Sequence, residues 1–319
     1  MHRLLNALVA VTCLVAWTAA LPQSYPTRPV RFIIPTAPGG GIDFMARLVG
    51  PPVGEALGQP IVLENRGGLG GQIGAGVVAK AAPDGYTVLI STDALISQVP
   101  VMKLPYDPFK DLEPVALLST IPYAIVVNPE IAKDIGEFVQ LARSKANAVT
   151  YGTPGVGSPQ HMIALMFGSL TGSTMLHIPY KGAGEIVPAV MGGQVHSLFQ
   201  PLSGMVPNIK AGKLRALAVT VSKRVDILPD VPTIMEAGYP ELNVSTWFGA
   251  WVPAGTPREI TMRLQEEMIK AVQTPTARDK LAPLGFQAAP GTGEQLREAM
   301  KRDLARWSKA VKDFNIRVE

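Results

Sequence analysis

Short apolar runs bounded by glycine and proline recur along the chain, and the segments between them carry apolar residues at helical spacing. Residues 30–35 (VRFIIP) lead into Pro38-Gly39-Gly40-Gly41, after which Phe44, Leu48 and Leu57 begin a helical spacing. This predicts strand, glycine loop, helix. Residues 61–64 repeat the strand, and Asn65-Arg66-Gly67-Gly68 repeats the loop. A small-residue helix at 73–82 is then stopped by Pro83-Asp84-Gly85 before a buried strand at 86–91. Further strands are expected at 115–118, 124–127, 149–152, 175–178, 195–199 and 214–219, with helices at 135–144, 159–170, 186–191 and 206–211. Such alternation builds βαβ units and mainly parallel sheets flanked by helices, an α/β fold.

The last third changes to longer helices. Thr256-Pro257-Arg258-Glu259 reads as a capping box, with Ile260, Leu264, Met268 and Ala271 on one face of the helix it opens. Thr292-Gly293-Glu294-Gln295 is a second box, and the Leu296, Met300, Leu304, Trp307 and Val311 face behind it is apolar while Arg297, Lys301, Arg302 and Lys309 stay in water. Both helices are expected to return to the N-terminal sheet. Two apolar stretches, 115–127 and 244–252, are long enough to be paired strands shared by two lobes, with a boundary near 122 and a return near 223–246.

Composition narrows the function classes. With 319 residues, 47% apolar and 17% charged, the chain can bury one or two cores. The formal charge of +4 is dispersed, which gives no nucleic-acid footprint. At the N-terminus, His2 and Arg3, an apolar stretch at 4–17 and Thr18-Ala19-Ala20 match an export signal with cleavage after Ala20. The single cysteine, Cys13, lies in that segment, so the expected mature protein has no thiol for a disulfide, a metal or a nucleophile. His161, His177 and His196 show no metal-binding spacing, and no GxSxG elbow is present. Gly74-Ala75-Gly76-Val77-Val78-Ala79 formally matches a dinucleotide fingerprint, yet it lies within a predicted helix and does not open one after a strand. Neither an enzymatic activity nor a cofactor is expected.

Ligands of open α/β sheets sit beyond the carboxyl ends of the strands, where helix N-termini attract anions. Three loops have that form: Pro38 to Asp43, Gly152 to His161 with Ser158 as cap and Pro159 in first position, and Ile178 to Gly184 with Tyr180 and Lys181. A small carboxylate is the natural guest.

The stretches YPTRPVRFIIPTAPGGGIDFMARLV, GQPIVLENRGGLGGQIGAGVVAKAAPDGYTVL, LPYDPFKDLEPVALL, HIPYKGAGEIVPAVMGGQV and WFGAWVPAGTP together resemble the Bug family, the TctC-like extracytoplasmic receptors of tripartite tricarboxylate transporters. The resemblance runs from Tyr25 nearly to the C-terminus. It implies a two-lobed periplasmic binding protein of the Venus-flytrap type, monomeric and without a cofactor, that pinches a carboxylate between two loops, partly through ordered waters. The lobes would be 21–122 plus 223–319, and 123–222. The partners it implies are a small organic carboxylate and transporter membrane subunits, with a membrane signalling protein as the alternative.

Carried onto this chain, the first loop contributes Thr36, Ala37, Gly39, Gly40, Gly41 and Asp43, and the second contributes Gly155, Gly157, Ser158 and His161. The variable positions around the far end of the ligand fall at Ser91, Thr92, Asp93, Tyr180, Lys181, Gln200 and Ser203. The chain departs from the pattern twice: Ile42 replaces a usual hydroxyl residue, and Gln200 stands where an aspartate often follows the phenylalanine. Loss of that acid suits a dicarboxylate or aromatic carboxylate better than an amino acid.

Overall fold

The long strand β4 (Leu112–Val127) organises the molecule, because it runs through two sections of one continuous ten-stranded sheet. The computed structural model describes residues 25–180, 183–314 and 316. The expected signal at 1–20 and Lys181 lie outside them.

In the first section β1 (Val30–Ile34) pairs in parallel with β2 (Ile61–Asn65) and β3 (Thr87–Thr92). In the second, β5 (Thr150–Thr153) pairs in parallel with β6 (Leu176–Pro179) and β7 (Ser197–Pro201). The strands between them are antiparallel. β9 (Ser245–Pro253) joins β3 to the first stretch of β4, and β10 (Gln287–Thr292) lies on that stretch's other edge. β7 and β8 (Arg215–Val219) take the two edges of Tyr123 to Val127.

The two expected strands at 115–118 and 124–127 are therefore one. Pro122 has no N–H to donate, but it falls where β4 exchanges one pair of neighbours for another, so little is lost from the ladder. Its carbonyl accepts from Leu202 N at 3.1 Å. β10 was not expected from the sequence either, since its QAAPGT is short of apolar residues and is half exposed.

Alternation sorts each strand between two cores. Phe32, Ile34, Val88 and Ile90 face one side, with α1 (Gly41–Leu57) and Leu264 and Met268 of α8 (Arg258–Gln273). Ile33 and Leu89 face the other, with Leu296, Met300 and Trp307 of α10 (Gly293–Asp313). The late helices thus cover opposite faces of the first section. The capping box at Thr292 and Gln295 forms. The one at Thr256 does not: Pro257 takes the cap position, and the Thr256 hydroxyl turns back to donate to Pro253 O at 2.7 Å. Smaller helices complete the chain: α2 (Gln72–Ala79), α3 (Ala94–Ser97), α4 (Ile135–Ser144), α5 (Pro159–Thr171), α6 (Ala183–Met191), α7 (Val206–Lys210) and α9 (Pro275–Leu281). The carboxyl ends of β1 and β3 meet those of β5 and β7 across the crossing strands.

Candidate functional site

Between those strand ends lies a partly open cavity of about 80 Å³. The first section supplies Thr36, Ala37, Gly40, Gly41 and Ile42 after β1, and Thr92 at the end of β3. The second supplies Pro154 and Gln160 after β5, and Gln200, Pro201 and Ser203 around the end of β7. Tyr123, Thr246 and Phe248 of the crossing strands form the floor. A second compartment of about 60 Å³ shares Thr36, Ile42, Thr92, Pro154 and Gln160 and reaches Ser91 and Ser158.

Among the described residues no ionisable side chain except the Tyr123 phenol lines either space. Thr36 Oγ1, Gln160 Oε1 and Gln200 Nε2 are buried here and make no hydrogen bond with the described residues. Buried polar atoms are normally paired; these three belong to residues that line the cavity, where a small turn of each side chain would offer them to a polar guest. The N-terminus of α1 adds to it. Gly40 provides no side-chain cap, which leaves first-turn N–H groups without an intrahelical acceptor.

The first loop is held from behind by Asp43. Its carboxylate accepts from Gly39 N at 3.0 Å, Arg47 Nε at 2.9 Å and Asn65 Nδ2 at 3.1 Å, and Asn65 also donates to Thr36 O at 3.0 Å. Burial would raise the Asp43 carboxyl, but bonds from Arg47, the Gly39 amide and Asn65 outweigh it and hold it below its ordinary value. Gly39 adopts φ +87°, a conformation that side chains disfavour. Asp43→Ala strands the Gly39 and Asn65 donors and frees the loop. The expected result is a loss of about 2 kcal/mol in stability and roughly tenfold in ligand affinity, read by denaturant unfolding and calorimetry.

The second loop is braced in the same way. Ser158 Oγ donates to Gly155 O at 2.7 Å and accepts from His161 N at 3.3 Å, which caps α5. His161 Nδ1 accepts from Gly157 N at 3.0 Å, and its ring stacks on His177 with centroids 4.1 Å apart. Burial, reinforced by His177, pushes His161 down to about 3, so it is a neutral brace at any ordinary pH. Ser97 Oγ donates to Gly157 O at 3.0 Å, and Gln98 Nε2 lies 3.2 Å from Val156 O and 3.3 Å from Leu69 O. These bonds tie the second loop to the first section.

Of the residues expected at the site, Thr36, Ala37, Gly40, Gly41, Thr92, Gln200 and Ser203 line the larger cavity, while Ser91 and Ser158 reach the smaller. Gly39, Asp43, Asp93, Gly155, Gly157 and His161 stand behind these walls. Tyr180 is half-buried with its ring across Gly152 of β5, away from both spaces. Sequence reasoning did not single out Tyr123, Gln160, Thr246 or Phe248. The only local signal was a polar side chain inside an apolar run, as at Tyr123 and Thr246.

Residues 45–316 match the model of the tripartite tricarboxylate transporter family receptor. The chain belongs to that family. The receptor is 33% identical over 301 residues to protein BugT of Bordetella pertussis, covering 93% of this chain and 92% of that one. Among solved structures it is similar to MatC from Rhodopseudomonas palustris with bound malate, at TM-score 0.86 and 32% identity, over 90% of this chain and 100% of that one. It is similar also to Rpa4515 of R. palustris with adipate, at TM-score 0.87 and 31% identity, over 92% of this chain and 99% of that one. The receptor is thus a solute-binding protein with the periplasmic-binding-protein fold. Among its described residues no helix is long and apolar enough to cross a membrane.

Proposed function

We propose that this receptor is exported, captures a small aliphatic dicarboxylate between its two sections and hands it to transporter membrane subunits. The observation that carries the reading is that three residues lining one cavity, Thr36, Gln160 and Gln200, each hold a buried polar atom without a partner, while among the described residues no charged side chain lines it. One carboxylate would take the N–H groups at the start of α1 with Thr36, and the other the Gln200 amide and Ser203. Neutral dipoles gathered around one site can hold an anion without a lysine or arginine.

Size selects within the class. A cavity of about 150 Å³ admits benzene, and about 80 Å³ is roughly half of that. A four-carbon diacid spread over both compartments fits better than an aromatic ring. Malate in MatC and adipate in Rpa4515 are consistent with such a ligand class.

The moving bodies would be 21–122 with 223–319 against 123–222, bending where β4 changes neighbours at Pro122. Only the closed arrangement brings both loops to the ligand, so binding favours closure. The test is a thermal-shift and calorimetry panel of succinate, malate, adipate, phthalate and aspartate. A four-carbon diacid at about 100 times its Kd adds about 2.7 kcal/mol, or roughly 5 °C of melting temperature. Tight binding of aspartate, which adds an ammonium group, with no response to succinate, malate, adipate or phthalate would overturn the proposal.

A further inference from the structure

Asp93 follows β3 at the start of α3, with its side chain making no cap to that helix and turned towards the two crossing strands. Its Oδ1 lies 2.5 Å from Thr246 Oγ1, and Tyr123 OH is 3.0 Å from Oδ2 and 3.2 Å from Oδ1. Tyr123 and Thr246 both form the cavity floor. Asp93 is 1% exposed, and among the described residues no salt bridge reaches its carboxyl. The basic group whose charge acts on it, Arg306 of α10, is engaged by Asp303 at 3.3 Å, and Asp303 also accepts from Trp247 Nε1 at 2.6 Å. Facing Asp93 are therefore the Tyr123 phenol from β4, the Thr246 hydroxyl from β9, and Asp303 with Arg306 from α10, Arg302 standing behind Asp303.

The protonation of Asp93 decides what the floor can offer. An ionised carboxylate accepts only, so both hydroxyls point their hydrogens at it and present lone pairs to the cavity. A ligand carboxylate is also acceptor-only, and it meets repulsion there. A protonated Asp93 donates to Thr246, whose own hydrogen has an alternative acceptor in Trp247 O at 3.4 Å. The Tyr123 hydroxyl is then free to turn its hydrogen to the ligand. Burial, then the charge of Asp303, pushes the Asp93 carboxyl up to about 7, so the proton is available near neutrality. Tyr123 is raised well above its ordinary value by burial and by Asp93, so it remains a donor throughout.

We infer that Asp93 sets the hydrogen-bond polarity of the cavity floor, and that capture of a dicarboxylate draws one proton from solvent onto it. The inference rests on the dicarboxylate reading above. Asp93 is a positioning residue that acts through Tyr123 and Thr246. No covalent bond other than that to the transferred proton changes, and the ligand stays fully ionised.

The experiment is succinate calorimetry on the wild-type protein from about pH 7 to about pH 9, in buffers of differing ionisation enthalpy. Expected is uptake approaching one proton per succinate near pH 8, with affinity falling close to tenfold per pH unit above it. Asp93→Asn imitates the protonated acid. It should bind without proton uptake, with flat pH dependence, and at least roughly tenfold tighter than wild type near pH 9. If that variant does not fold, Asp303→Asn removes the neighbouring negative charge and should move the onset of pH dependence to lower pH. Succinate binding with no proton uptake, uptake that persists in Asp93→Asn, or an onset unmoved in Asp303→Asn overturns the inference alone. Failure of succinate to bind at every pH overturns the dicarboxylate reading instead.

Discussion

Gly41→Val is expected to weaken ligand capture by up to about 100-fold while leaving the melting temperature of the ligand-free protein nearly unchanged. A Cβ built on Gly41 would stand 2.7 Å from Ser203 Oγ and 3.3 Å from Phe248 Cζ. Phe248 belongs to the same section and can give by a few tenths of an ångström. Ser203 belongs to the other section, so the clash is made only when the cleft closes. Overpacking of this kind costs about 1–3 kcal/mol, which the open arrangement escapes. The apparent Kd then rises in proportion as the closed population falls. Calorimetry gives the affinity, and small-angle scattering should show a larger radius that ligand no longer reduces. Unchanged affinity would mean that the sections do not move against each other in the proposed way.

The second large effect concerns stability. The folded protein holds a proton on Asp93 up to about pH 7, whereas the unfolded chain releases it near the ordinary 3.8. Between those values the folded state binds more protons, so stability falls as pH rises and levels off above about 7. Asp303, raised by burial, acts in the same direction. Asp93→Asn cannot ionise. It should fall about 2 kcal/mol below wild type near pH 4 and exceed it near pH 8 by about 2 kcal/mol, roughly 3 °C in melting temperature. The full shift corresponds to about 4 kcal/mol, but the buried amide keeps part of the desolvation cost. Thermal unfolding at the two pH values checks this. A variant less stable than wild type near pH 8 would show that Asp93 is not strained by its charge. The native acid would then be an instance of stability given up for a function of the site.

Much of the architecture was legible because its signals are local. Short apolar runs marked β1 to β3, Ser158 and Pro159 marked the start of α5, and Thr292 with Gln295 marked that of α10. Of the Pro38 to Gly41 turn, Gly40 and Gly41 line the cavity. What could not be read was which side of a loop faces the gap. Asp43 and His161 carry the expected polar chemistry, yet each is consumed by its own loop. Asn65, which joins Asp43 to Thr36, is 22 residues from the first and 29 from the second.

The sequence by itself determined the alternating elements, the glycine loops at the strand ends and the family resemblance, since each depends on residues within a turn or two of one another or on long quoted motifs. The tertiary structure alone decided that β4 continues through Pro122, and that Gln160, Gln200 and Thr36, each with an unpaired buried polar atom, line one space. It also decided that Asp93 meets Thr246, 153 residues away. The physical reason is that hydrogen-bond satisfaction and desolvation are set by neighbours in space, and the sheet's crossing strands bring those neighbours together from distant parts of the chain.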